Sequence, residues 1–99
     1  MHPLRPGKAA RGLLALILLL AGCASVPYQE MSDARQAIDE ARRVVEDAPA
    51  PRRLVNAAEA ELGRAEAHLR AGEYDAARVT AEKAKALAIE ARERAENGD

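Results

Sequence analysis

The 99-residue sequence predicts an all-α protein: a leader helix, then three helices whose main unit is an antiparallel, coiled-coil-like αα-hairpin. Three observations carry this expectation. Apolar residues recur at alternating spacings of three and four, the signature of one helical face. Pro49, Pro51 and Gly72 punctuate the boundaries between those stretches. The composition is rich in alanine, with no Trp or Phe, two Tyr and one Cys. That composition excludes a disulfide scaffold, a Cys-rich zinc module and an aromatic stacking platform for nucleic acid. The chain length limits it to a single small domain.

Residues 1–22 read as a leader. Arg5, Lys8 and Arg11 precede the apolar run from Leu13 to Leu20, which small residues follow. This is the layout of a secretory signal. Eight to ten apolar residues make a helix of about 12–15 Å, against a hydrocarbon core of roughly 30 Å, so a permanent span is not expected. Leu20-Ala21-Gly22-Cys23 then resembles the lipobox of bacterial lipoprotein precursors. Ala21 and Gly22 leave a peptidase room to approach the backbone, and the Cys23 thiol is the soft nucleophile that accepts a diacylglyceryl group as a thioether. The resemblance implies acylation of Cys23, cleavage between Gly22 and Cys23 with Leu20, Ala21 and Gly22 as the recognition residues, and acylation of the new amine. Each buried CH₂ adds about 0.8 kcal/mol, so three chains on one residue anchor a protein durably. By the sorting rule that the same resemblance brings with it, Ala24, standing where Asp would signal retention, implies the outer membrane, on its periplasmic face.

Removing residues 1–22 takes away three cations and no acid, leaving 12 basic and 16 acidic side chains. This mildly acidic chain lacks the basic stripe of a nucleic-acid binder and the charge for adhesion to anionic lipid. Residues 23–30, with Pro27, read as the lipidated N-terminus and tether, with a reach of roughly 25 Å. Residues 31–96 form the helical domain and 97–99 a frayed tail.

The first helix carries Met31, Ala34, Ile38, Ala41, Val45 and Ala48 on one stripe, with Ser32 as expected N-cap. Pro49 and Pro51 stop it, and Pro51 is placed to open the next helix. The second helix runs to about Ala71 with the stripe Val55, Ala58, Leu62, Ala65 and Leu69. Gly72 is the expected left-handed cap, and acids at Glu73 and Asp75 suit the positive start of a third helix. The connection is so short that the two helices must turn back as a hairpin. The third stripe is Tyr74, Ala77, Ala81, Ala84, Ala88, Ala91 and Ala95, flanked by Val79, Leu87 and Ile89. Alanine permits close approach but buries little area, so long, thin, exposed helices are expected, with local propensity carrying much of the order. Tyr74 is expected to pack across the hairpin turn. Asn97 and Gly98 close the last helix.

The runs Ala58-Glu59-Ala60-Glu61-Leu62-Gly63-Arg64-Ala65, Leu69-Arg70-Ala71-Gly72-Glu73-Tyr74-Asp75-Ala76-Ala77 and Ala81-Glu82-Lys83-Ala84 resemble the alanine-rich envelope lipoprotein family called domain of unknown function four-three-nine-eight. The similarity covers Met31 to Ala95, and the family carries no established activity. The Gly72-Glu73-Tyr74 turn is also similar to the helix junction of a tetratricopeptide repeat, though only one unit is present, its helices are long for a 34-residue period, and the closing Pro is missing.

No catalytic or metal-ligating residue stands out. His68 is the only histidine after residue 22 and has no Cys or second His beside it; Glu61 and Glu66 near it read as a solvated helix face. Ser25, Ser32 and Thr80 lack a histidine base at suitable spacing and an oxyanion turn. Acids such as Glu59, Glu61, Glu90 and Glu93 are expected in surface pairs, including Asp39 with Arg43, Glu66 with Arg70, and Glu90 with Arg94. An enzyme is therefore not expected, nor a cofactor other than the covalent diacylglycerol and N-acyl chain on Cys23. The expected function is a lipid-anchored helical interaction or structural module. Its partners are the membrane and another envelope protein or a second copy docking on the alanine stripes, with no nucleic acid and no small-molecule substrate. The alternative is a periplasmic carrier or assembly factor using a tetratricopeptide-like concave face. A covalent cell-wall spacer is not expected, because Asp99 stands where such a spacer ends in Lys.

Overall fold

Pro27 sets the start of the first helix. In the computed structural model, which describes residues 26–98, the carbonyl of Pro27 accepts the first helical hydrogen bond, from the Met31 N–H at 3.1 Å. Helix α1 therefore spans Tyr28–Val45, beginning inside the stretch expected to be tether, and Ser32 lies within the helix rather than capping it. The fixed ring of Pro27 starts the helix before Ser32 is reached. The leader, the Leu20-Ala21-Gly22-Cys23 motif and Asp99 lie outside the described residues.

Helix α1 ends at Val45, four residues before Pro49. The Ala48 N–H donates to the Val45 carbonyl at 3.1 Å, with Glu46 at φ +48° and ψ −120° at the first corner. This is the geometry of a type II′ turn, whose first corner favours glycine. Ala48 is extended, as a residue before proline must be, and α2 spans Pro49–Arg70 with proline in its first turn. The helix opens at Pro49, and Pro51 is buried in that turn.

A Schellman motif closes α2. The Gly72 N–H donates to the Leu69 carbonyl at 3.0 Å and the Glu73 N–H to the His68 carbonyl at 2.9 Å. Gly72 sits at φ +78°, the left-handed conformation expected of it. Helix α3 spans Tyr74–Glu96.

These two turns yield opposite predictions. A Cβ at Gly72 meets nothing within 4 Å, so Gly72→Val acts through backbone strain alone and is expected to destabilise by about 1–2 kcal/mol. Glu46→Gly relieves strain of the same kind and is expected to stabilise by about 1 kcal/mol. Thermal melts followed by circular dichroism check both: a lower Tm for the first and a higher one for the second.

Ion pairs between helices show how the three run. Glu30, Asp33 and Glu40 of α1 meet Arg78, Lys85 and Arg92 of α3 in the same order, so these two helices are parallel. Arg35 and Arg42 of α1 meet Glu66 and Glu59 of α2 in reverse order, so that pair is antiparallel. The chain thus forms an up-down-up three-helix bundle, all-helical throughout the described residues. Helix α1 packs on the hairpin, and α3 packs against both α1 and α2.

The core is a ribbon along the shared axis. At one end Ile38, Ala41, Val45, Val55, Ala58, Ala88 and Ala91 pack together; at the other Met31, Ala34, Ala65, Ala81 and Ala84 do so, with Leu62 touching both groups. Nine alanines among the described residues have no exposed surface. The alanine faces are therefore closed against one another rather than exposed, because small side chains let three backbones approach at once. Ala48 and Ala95, at the ends of their stripes, are only half-buried.

Candidate functional site

The proposed lipidation site, Cys23, and its recognition residues Leu20, Ala21 and Gly22 fall before the described residues. The structure does show where the chain leaving Cys23 enters the fold. Pro27 and Tyr28 stand at the end of the bundle where α2 stops and α3 starts, beside the Gly72 turn. The Val45–Pro49 turn and the end of α3 lie at the opposite end.

Tyr74 opens α3 directly after the Gly72 turn. It is 37% exposed and belongs to neither core group. As the first residue of α3, it lies beyond the level at which α1 begins. Val79 is likewise exposed, whereas Leu87 and Ile89 are half-buried.

The charged faces differ from those expected along single helices. Asp39 pairs with Arg42 at 3.1 Å rather than Arg43. Glu66 reaches across to Arg35 at 3.2 Å rather than along α2 to Arg70. Glu59 holds Arg42 at 2.9 Å, and Glu90 pairs with Arg94 at 3.3 Å as expected. Two Arg–Glu pairs thus bridge α1 and α2. The Arg42 guanidinium is raised above its ordinary value, first by its hydrogen bond to Glu59, with burial opposing and the charges of Glu59 and Asp39 adding to the rise.

Glu61 is the residue that sequence reasoning misplaced. It is only 8% exposed, on the seam between α2 and α3, where it meets Arg64 and the Lys83 ammonium, the latter at 3.6 Å. Its place three residues after Ala58 and four before Ala65 was a usable signal, masked by its charge. Arg64 and Lys83 stay largely in solvent, so removing the carboxylate strands no buried cation. Glu61→Leu is therefore expected to be neutral or stabilising by up to about 1 kcal/mol, read as the urea midpoint; a loss of more than that would show that the pair holds the seam together.

His68 meets Glu73, with Nδ1 and Oε1 2.7 Å apart, across the Gly72 turn, instead of Glu61 or Glu66. Thr80 donates its hydroxyl to the Ala76 carbonyl at 2.7 Å. Ser32 is half-buried within α1. Among the described residues no three His, Cys, Asp or Glu side chains converge as a metal site would need. The grooves between helices are open, with charged rims around a few apolar side chains: Arg42, Glu46, Arg52 and Glu59 around Val45 and Val55 in one, and Glu30, Asp33, Glu82 and Lys85 around Ala86 and Ile89 in another. Enclosed apolar walls that bury most of a small ligand are the usual basis of such sites, and these grooves lack them.

No protein-family model matches the chain, and comparisons with curated proteins and with solved structures likewise give no match.

Proposed function

We propose that this chain is a lipid-anchored cell-envelope lipoprotein, held at the outer membrane on its periplasmic face, whose bundle acts as an interaction or structural module rather than as an enzyme. The observation that carries the reading is Leu20-Ala21-Gly22-Cys23 directly after an apolar run with a basic lead. The charge balance after residue 22 agrees with it, since a mildly acidic surface needs an anchor other than electrostatic attraction to anionic lipid. No helix among the described residues is long and apolar enough to cross a membrane.

The route by which the module touches a partner changes from the expected one. The alanine stripes are occupied by α1, α2 and α3 themselves, so a partner or second copy must use the outer surface. That surface is laced with ion pairs, and its charged open grooves favour a protein contact over a small-molecule carrier. The test is growth of bacteria expressing the full chain with radiolabelled palmitate, followed by membrane fractionation. Label on the protein in the outer-membrane fraction is the expected result. Absence of label overturns the anchor, and label confined to the inner membrane overturns the sorting.

A further inference from the structure

Large apolar side chains exposed on this bundle are few, and they are not spread evenly. Tyr28 is 71% exposed, Val79 65% and Tyr74 37%, while Val44 stands apart at the far end. The 3.5 Å pair between Arg78 and Glu30 sets α1 and α3 at a common level. Tyr28 lies two residues before Glu30 and Tyr74 four before Arg78, about 3 and 6 Å further toward the same end. The chain has no Trp or Phe, so both of its aromatic side chains are gathered there.

This is also the end that receives the chain from Cys23. Pro27 is four residue steps from Cys23, a reach of at most about 14 Å. The acids of this end are already engaged: Glu30 and Asp75 with Arg78, and Glu73 with His68. Each of these carboxylates therefore has a polar partner, with Arg78 shared between two of them, which lowers the cost of approaching an interface of reduced polarity. Tyrosine, apolar in its ring and polar at its hydroxyl, is the side chain suited to that layer.

We propose that this end of the bundle seats on the lipid headgroup layer, with Tyr28 and Tyr74 as interfacial contacts, so that the bundle stands end-on. The Val45–Pro49 turn and the end of α3 then project about 30 Å away, the length of α2 at 1.5 Å per residue. The proposal rests on the lipid-anchor reading, and it is tested without depending on acylation in cells.

Both core groups lie beyond Cys23, so a chain beginning there keeps the whole bundle. Its single Cys is coupled to a maleimide phospholipid in vesicles of phosphatidylethanolamine and phosphatidylglycerol. With no native Trp, the variants Tyr28→Trp, Tyr74→Trp and Val44→Trp each carry one reporter, and circular dichroism checks that each is folded. Dibrominated phospholipid is expected to quench the first two at least twofold more than the third, with their emission shifted to shorter wavelength. Equal quenching of all three, as for a bundle lying flat, overturns the proposal. So does the absence of quenching at position 74, or an emission shift that follows protein concentration without brominated lipid, as self-association produces. Palmitate labelling in cells together with an unquenched Trp at 74 sinks this proposal alone, whereas unlabelled protein with quenching at 28 and 74 sinks the anchor alone.

Discussion

Cys23→Ser is expected to leave the leader attached and the protein without fatty acid. Serine keeps the size of the side chain but replaces a soft thiolate with a hydroxyl that ionises far less readily, so the thioether does not form. If acylation precedes cleavage, as the lipobox resemblance implies, the block at the first step halts the second. The effect is all-or-none: mass spectrometry should find the unmodified precursor and no shorter species. A fully processed, acylated product from the variant would falsify the assignment of Cys23. The bundle is expected to be unaffected, since both core groups lie between Met31 and Ala91, so circular dichroism should show the same helical signal. Loss of anchoring with retained fold separates the address from the architecture.

Ile38→Ala is expected to cost about 3 kcal/mol. Most buried side chains here are alanine, and a methylene-sized group contributes only about 0.8 kcal/mol, so the larger ones carry a disproportionate share. Ile38 is 2% exposed and packs among Ala41, Val45, Val55, Ala58, Ala88 and Ala91. These buried neighbours are too short to extend into the space it leaves, and only the half-buried Leu54, Leu62 and Leu87 at the margin can lean toward it, which places the variant inside the usual range of about 2–5 kcal/mol. A domain of this size has roughly 4–11 kcal/mol of stability in total, so the Tm should fall by about 12–24 °C. Overfilling tests the same core from the other side. Ala84 has no exposed surface and packs with Met31, Ala34, Ala65 and Ala81, and Ala84→Leu must push the helices apart at a cost of about 1–3 kcal/mol or more. Tm values within about 3 °C of the parent for both variants would mean that the helices do not pack as described, since about 1 kcal/mol already shifts a domain of this size further than that.

These expectations show what could be read without coordinates. Three- and four-residue spacing assigned Met31, Ala34, Ile38, Ala41, Val45, Val55, Ala58, Ala65, Ala77, Ala81, Ala84, Ala88 and Ala91 to inward faces, and all are buried. Gly72 takes the left-handed cap because only that conformation completes both turn hydrogen bonds, and glycine adopts it without strain. Ser32, a common cap, points to a later start for α1 than the one Pro27 sets. The proposed lipid-attachment residues precede the described chain and are read from the sequence alone.

Local sequence determined that there are three helices, where each breaks and which side of each is apolar, because those properties follow from backbone geometry within a few residues. Tertiary structure decided the rest. It set α1 parallel to α3, closed the alanine stripes on one another, buried Glu61, turned Glu66 from Arg70 to Arg35 of α1, and left Tyr74 beyond the start of α1. Periodicity names the face that must be covered but not the helix that covers it. Long charged side chains reach neighbouring helices as readily as the next turn of their own, and only the final packing selects the partner.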